Sequence, residues 1–288
     1  MSNEPQIRPV FVVGVPRSGT TWVQRILASH PQAWPLLETY LFSRQIGLGA
    51  LFQRLPPPGL DAPDHDLPPP GIGRIFSRAE LVAELRAIAT RWLGLASDPG
   101  AAFVIEKSPW HLSDIDLIAE VLPDARFVHV VRDGRDVAVS LVAARRSWSD
   151  YGGSRISATV REGAEAWAAG IEKGGLARAA LGRRLLEIRY EEIHADRRAA
   201  FRRLFDHCGM PYDEGLLERT LELTDFKRLP ESRGEGRLYR GGRVGDWRQS
   251  LGLAQAWRFE RAAGATLRET GYEADPGWWM RRPLRSRL

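Results

Sequence analysis

One segment constrains the fold of this chain more than any other: Gly14-Val-Pro-Arg-Ser-Gly-Thr-Thr-Trp22, set between two apolar stretches of different period. Residues 10–13 are an unbroken apolar run, as in a buried strand. After the segment, Trp22, Val23, Ile26 and Leu27 recur at helical spacing until His30-Pro31 ends the pattern. A strand turning through a Gly-containing loop into a helix is the start of a βαβ unit. It also makes an anion site, because the first helical turn presents unpaired N–H groups at the positive end of the helix dipole. Gly19 lets the backbone approach a ligand closely, and Ser18, Thr20 and Thr21 add hydroxyl donors. Thr20 stands where a Walker-type loop requires lysine, and the cation is Arg17, inside the loop, which argues against an ordinary ATPase or GTPase.

The alternation of periods continues along the chain. Strands are predicted over 10–13, 103–105, 127–131 and 185–189, and helices over 20–29, 77–95, 111–122, 135–144, 163–181, 197–208 and 253–269. Ser77 with Glu80 three residues on is a capping-box pattern. Strands separated by helices imply a central parallel sheet covered on both faces, an α/β three-layer sandwich. A length of 288 residues suits a single large domain over 1–288. Residues 55–73 are too rich in Pro and Gly for regular structure and are read as an inserted surface loop or a lid; residues 230–250 are Gly- and Arg-rich with little periodicity.

Charge and cysteine content narrow the partners. Forty-one Lys and Arg against 36 Asp and Glu leave a net +5, too small an excess for general nucleic-acid binding but suited to an anionic cofactor. Cys208 is the single cysteine, which excludes an internal disulfide framework and a multi-cysteine zinc site, and it reads as a small residue at a helix end. No apolar run reaches the length of a membrane span, and the polar N-terminus lacks the apolar core of a signal peptide, so the cytoplasm is the expected compartment. His65 with Asp61, Asp64 and Asp66 is read as solvated loop charge, and no metal site is expected.

A second motif follows the 127–131 strand. In Arg132-Asp-Gly-Arg-Asp-Val-Ala-Val-Ser140, Arg132 ends the strand and Ser140 lies eight residues on, so both can point to the carboxyl edge of the sheet, where α/β proteins bind ligands. Arg135 and Asp136 are read as a structural ion pair. Tyr190 follows the strand at 185–189, and Arg240-Gly-Gly-Arg-Val-Gly-Asp-Trp247 supplies a third Gly- and Arg-containing loop.

In this order these motifs resemble the sulfotransferases that use 3′-phosphoadenosine 5′-phosphosulfate (PAPS), and they span residues 11–247. The resemblance implies a P-loop-type fold and transfer of a sulfuryl group to an acceptor hydroxyl, leaving adenosine 3′,5′-bisphosphate (PAP), with no metal. It further implies that Arg17, Ser18, Gly19, Thr20 and Thr21 hold the 5′-phosphosulfate, that Trp22 sits beside the adenine, and that Arg132 and Ser140 hold the 3′-phosphate. Tyr190 would contact adenine or serve as a buried edge tyrosine. Arg240, Gly241 and Gly242 would close over the 3′-phosphate, with Arg243 as an alternative cation. Arg17 departs from the lysine found in many members.

Sulfuryl transfer needs cations on the leaving oxygen and a base for the acceptor. Arg17 and Lys107 are the candidate cations. Glu38, in Leu-Leu-Glu-Thr behind the loop's helix, resembles the catalytic glutamate of some branches and is favoured as base. His111 is the alternative, although it lies four residues after Lys107 where the histidine-based branch has two, which favours a capping or surface role. The acceptor is read as a small-molecule hydroxyl. The competing readings are a tyrosylprotein-type sulfotransferase, a P-loop kinase acting on a small molecule, and an anion-binding scaffold without turnover.

Overall fold

The chain's structure, a computed structural model, describes residues 7–52, 76–147, 157–225 and 243–281. In chain order its elements are strand β1 (Arg8–Val13), helix α1 (Thr20–Ala28), strand β2 (Ala33–Leu37), the one-turn helix α2 (Gly49–Phe52), helix α3 (Arg78–Leu95) and strand β3 (Phe103–Lys107). A 3-10 turn (Pro109–Ser113) leads to α4 (Ile115–Val121), β4 (Arg126–Val131), α5 (Gly134–Ser147), α6 (Val160–Leu181) and β5 (Leu185–Arg189). Helices α7 (Tyr190–Ala195), α8 (Arg197–Cys208), α9 (Glu214–Leu223), α10 (Trp247–Ser250) and α11 (Leu253–Glu269) follow, and a last 3-10 turn (Trp278–Arg281) completes the described chain. The inserted loop predicted over 55–73 lies outside the described residues.

The strands form one sheet in the order β2-β3-β1-β4-β5, parallel throughout. Alternate side chains leave it on opposite faces, as the strand period of two requires. Val10, Val12, Ile105, Val128 and Val130 pack with α1 and α8 residues such as Ile26, Leu27, Phe201 and Phe205. Phe11, Val13, Val104 and Phe127 pack on the other side with Leu85, Ala89, Leu117 and Ile118 of α3 and α4. The result is the predicted α/β three-layer sandwich. Because both faces are covered, β1 and β4 are buried along all but their first residue.

Several local expectations meet their physical reasons here. Ser77 caps α3 with the reciprocal bonds of a capping box: its hydroxyl accepts from Glu80 N–H, and Glu80 Oε2 accepts from Ser77 N–H. The helix expected over 111–122 divides instead into the 3-10 turn and α4, with the break at Asp114, whose φ of −119° is not helical. Strand β2 was not predicted, because Pro35 sits at its centre. Proline lacks the N–H of a ladder residue and is tolerated only at a sheet's edge, which is where β2 lies. Buried Gln24 of α1 ties it down, donating from Nε2 to Leu36 O (2.8 Å) and Ile105 O (3.0 Å). Helices α7 and α9 were also missed.

The ion pair expected between Arg135 and Asp136 is not formed; each residue belongs to a different network. Arg135 is buried and binds Asp133 (2.8 Å) and Glu273 (2.8 Å), with its guanidinium 3.8 Å from the Trp247 ring centre and 4.8 Å from that of Trp278. One residue apart on a helix, Arg135 and Asp136 point about 100° away from each other, so they cannot share a partner face. Arg135 thereby docks the C-terminal segment, and removing one partner from such a buried pair costs about 3–5 kcal/mol.

Candidate active site at the carboxyl edge of the sheet

A parallel sheet delivers every strand's C-terminal end to the same edge. The loop 14–19 leaves β1, Glu38 follows β2, Lys107 ends β3, Arg132 follows β4 and Tyr190 follows β5. Residues separated by up to 176 positions are thus assembled along one rim.

The β1 loop is shaped for close approach. Gly14 has φ of 153°, and a Cβ there would lie 2.6 Å from Val130 O; Gly19 has φ of 100°, and a Cβ there would lie 2.4 Å from Tyr190 Cδ2. Arg17 holds a left-handed φ of 77°, unusual for a residue with a side chain. Ser18 and Thr20 are buried, and Thr21 is half-buried. Gly19 caps α1 with no side-chain hydrogen bond and the first turn has no acidic residue, so the helix's own start does not neutralise the positive end of its dipole. Arg17 Nε donates to Ser140 Oγ at 3.0 Å.

Arg132 closes the other side of the loop. It donates from Nη2 to Arg243 O (2.7 Å), lies 3.4 Å from Asp136 Oδ2, and stacks 4.4 Å from the Tyr190 ring centre. Its Nε is buried and has no hydrogen-bond partner among the described residues. Asp136 accepts N–H bonds from Gly245 and Trp247, both 2.8 Å, and so holds the Gly-Asp-Trp turn against α5. Burial pushes the Asp136 carboxyl above its ordinary range, although Arg132 and these two donors pull it down. The Arg-Asp-Gly-Arg-Asp sequence therefore divides its labour: Arg132 faces the rim, Asp133 and Arg135 pair in the interior, and Asp136 organises the third loop.

At the β2–β3 corner, Glu38 and Lys107 are joined. Lys107 Nζ lies 2.6 Å from Glu38 Oε1, and Tyr40 Oη donates to Glu38 Oε2 at 3.1 Å. The lysine is 2% exposed and the glutamate 40%, so the carboxylate reaches the rim while the ammonium supports it from within. Lys107 is thus not a surface residue. Glu38 and Tyr40 have φ of 47° and 51°; with Arg17 they are the non-glycine residues of positive φ among the described residues, and all three lie at this site. Backbone held in sparsely populated regions concentrates at functional sites.

Burial bears on three sequence expectations: it overturns the capping or surface role of His111, agrees with the buried alternative for Tyr190, and places Trp22 inside the core. His111 is fully buried and not a capping or surface residue: Nδ1 lies 3.0 Å from Glu106 Oε2, and Nε2 accepts from Phe42 N–H at 3.3 Å. Both ring nitrogens are engaged inside the fold, and neither faces the rim. Trp22 and Tyr190 are each 2% exposed. Trp22 donates its indole N–H to Thr224 O, and the two rings pack against each other and His194, so neither presents an open face for a base. Arg240, Gly241 and Gly242 lie outside the described residues; Arg243 contributes its carbonyl to Arg132. Cys208 ends α8, buried, with its thiol pushed up to about 12 by desolvation.

Glu106 was missed. Its carboxylate is completely buried and accepts from Thr39 N–H (3.2 Å), Thr39 Oγ1 (2.8 Å) and Ser108 Oγ (2.6 Å) as well as facing His111. The signal was present: an acid inside the strand sequence Phe-Val-Ile-Glu-Lys must find buried partners. No helix among the described residues is long and apolar enough to cross a membrane.

Comparison with known proteins agrees with this architecture. The model described as "Sulfotransferase family" matches residues 9–214. Protein-tyrosine sulfotransferase 1 of Danio rerio is 23% identical over 208 residues, covering 72% of this chain and 55% of that protein. The chain therefore spans little more than half that relative's length, and 34% of its Mus musculus counterpart. Among solved structures, a mouse sulfotransferase complexed with PAP superposes with a TM-score of 0.55 at 16% identity, covering 94% of this chain and 92% of the other. Retinol dehydratase in complex with retinol and PAP gives a TM-score of 0.51 at 17% identity, covering 96% and 85%. At these identities the likeness is one of fold.

Proposed function

The chain belongs to the sulfotransferase family, and from that premise we propose that it transfers a sulfuryl group from PAPS to the hydroxyl of a small-molecule acceptor. The observation that carries this reading is the convergence on one rim of the Arg17 loop, the Lys107–Glu38 pair and Arg132. The donor set suits a nucleotide with anionic groups at both ends. The uncapped start of α1 and the glycine cradle suit one group, and the buried Nε of Arg132, without a partner among the described residues, suits a second.

PAPS supplies the activated sulfuryl group; the residues supply position and charge. Arg17, with Ser18, Gly19, Thr20 and Thr21, holds the 5′-phosphosulfate and neutralises charge on the oxygen that leaves with PAP. Lys107 is the second cation. Glu38 accepts the acceptor's proton as the acceptor oxygen bonds to sulfur and the bond from sulfur to the phosphate oxygen breaks. Arg132 and Ser140 hold the 3′-phosphate, and the 240–242 segment is assigned to the same phosphate. Trp22 and Tyr190 back the adenine end from within the core. The solved relative named for retinol supports an alcohol acceptor.

A second reading, a tyrosylprotein acceptor, is favoured by the similarity to protein-tyrosine sulfotransferase 1. Incubation with radiolabelled PAPS and a panel of alcohols, phenols and tyrosine peptides separates the two. Label on a small hydroxyl compound is expected. Label confined to peptides selects the second reading, and phosphoryl transfer from γ-labelled ATP with none from PAPS overturns both.

A further inference from the structure

The turn that carries Glu38 is tied to one buried acid. Glu38 N–H donates to Lys107 O at 2.8 Å, continuing the β2–β3 ladder past its end. Thr39, the next residue, gives both its N–H and its hydroxyl to Glu106 Oε1. Tyr40 N–H donates to Ser108 Oγ (3.3 Å), and Ser108 Oγ donates in turn to Glu106 Oε1 (2.6 Å). On the other oxygen, His111 faces Glu106 through Nδ1. Because Nε2 accepts from Phe42 N–H, the proton belongs on Nδ1, and the ring donates to the carboxylate. The ring itself is wedged edge-on against Phe11 and Phe42, with centroids 6.1 and 6.2 Å away. Every hydrogen bond to the Glu106 carboxylate among the described residues comes from the 38–42 turn or from the segment that steadies it.

A completely buried carboxylate is a costly element in an apolar strand, and a hydrophobic residue there would serve the core better. The turn it holds is one the backbone does not favour, since Glu38 and Tyr40 both have positive φ. We propose that Glu106, oriented by His111, is a positioning residue that holds the strained Glu38–Thr39 turn and so fixes the Glu38 carboxylate at the rim beside Lys107. This inference rests on the reading of Glu38 as base. Neither Glu106 nor His111 touches the reacting atoms; they act through Thr39. Loss of the link lets Glu38 move, and misplacement of a reacting group by about 1 Å can cost on the order of 10²-fold in rate.

The test uses Thr39, which is exposed and can be changed without opening the core. Thr39→Val keeps shape but removes the hydroxyl bonded to Glu106; Thr39→Ser retains it. Thr39→Val should lower kcat by roughly 10–100-fold, leave KM for PAPS and the PAP-induced rise in Tm unchanged, and be rescued by Thr39→Ser. Glu106→Gln should do the same if it folds. Glu38→Gln alone should lower kcat by about 10²–10⁴-fold, and adding Thr39→Val to it should cost nothing more. If Glu38→Gln turns over normally, the base assignment fails, and this inference with it. If Glu38→Gln is impaired while Thr39→Val has wild-type kcat, or Thr39→Val costs the same in the Glu38→Gln background, the base stands and the positioning role is overturned.

Discussion

Arg17 Nε and Ser140 Oγ lie 3.0 Å apart, a hydrogen bond between the β1 loop and α5 across 123 residues of sequence. It joins the loop assigned to the 5′-phosphosulfate to a residue assigned to the 3′-phosphate, so both anion grips share one support. Arg17 holds this bond from a left-handed backbone, which fixes where its guanidinium emerges.

Arg17→Ala should lower kcat by about 10²–10³-fold, the usual loss when one donor to developing charge is removed. The charge on the leaving oxygen grows toward the transition state, so kcat should respond more than the affinity for PAPS. Steady-state kinetics decide the matter: near-normal kcat with weak PAPS binding would make Arg17 a ground-state anchor only.

PAP should raise Tm well above the effect of AMP, because only PAP carries the 3′-phosphate assigned to Arg132 and Ser140. At a ligand concentration of about 100 times Kd, binding to the native state alone contributes roughly 2.7 kcal/mol. Arg132→Ala should bring the two ligands to similar shifts. Equal shifts in the unaltered protein would remove the assignment of Arg132.

Gly19→Ala tests the cradle without reference to chemistry. With φ of 100° and an added Cβ 2.4 Å from the Tyr190 ring, it should destabilise by about 1–3 kcal/mol. Gly182→Ala, with φ of 51° but nothing within 4 Å among the described residues, supplies the strain without the clash and should cost less. Thermal unfolding of both variants measures the difference, and equal losses would mean that Tyr190 yields.

The buried carboxylate of Glu106 links stability to pH. Burial raises its pKa, but the hydrogen bonds from His111, Ser108 and Thr39 outweigh it and hold the carboxyl below its ordinary range. A depressed folded-state value gives stability that is fully present above the unfolded value, about 4.3, and lost as pH falls through the folded one. Glu106→Gln should therefore be less stable than the unaltered chain at neutral pH, with the gap narrowing below about pH 4. Denaturant midpoints across that range check the sign; a gap that widens on acidification would contradict it.

Much of this was legible locally. The apolar run at 10–13, the Gly14–Gly19 loop and the helical spacing after it required a strand, a tight loop and a helix, and these formed with nearly the expected limits. Where local pattern and tertiary context disagreed, context won. Pro35 concealed β2, which exists because Gln24 and β3 satisfy an edge strand that tolerates proline. Arg135 and Asp136, adjacent in sequence, were expected to pair, yet helix geometry turned one to the interior and the other to the Gly245–Trp247 turn.

The fold class, and which residues bring cations and hydroxyls to the loops assigned to anions, can be read from short segments, because strand and helix periods and loop chemistry are local properties. Which of two candidate bases reaches the rim depends on long-range packing. Glu38 and His111 are both plausible by type, with the spacing from Lys107 favouring Glu38. Strand register brings Leu37 opposite Lys107 and carries Glu38 past the sheet's end to Lys107 Nζ, while the 3-10 turn after β3 sets His111 inward against Glu106. The place of Glu38 is set by pairing between strands 66 or more residues apart, a distance over which no local pattern in the chain carries information.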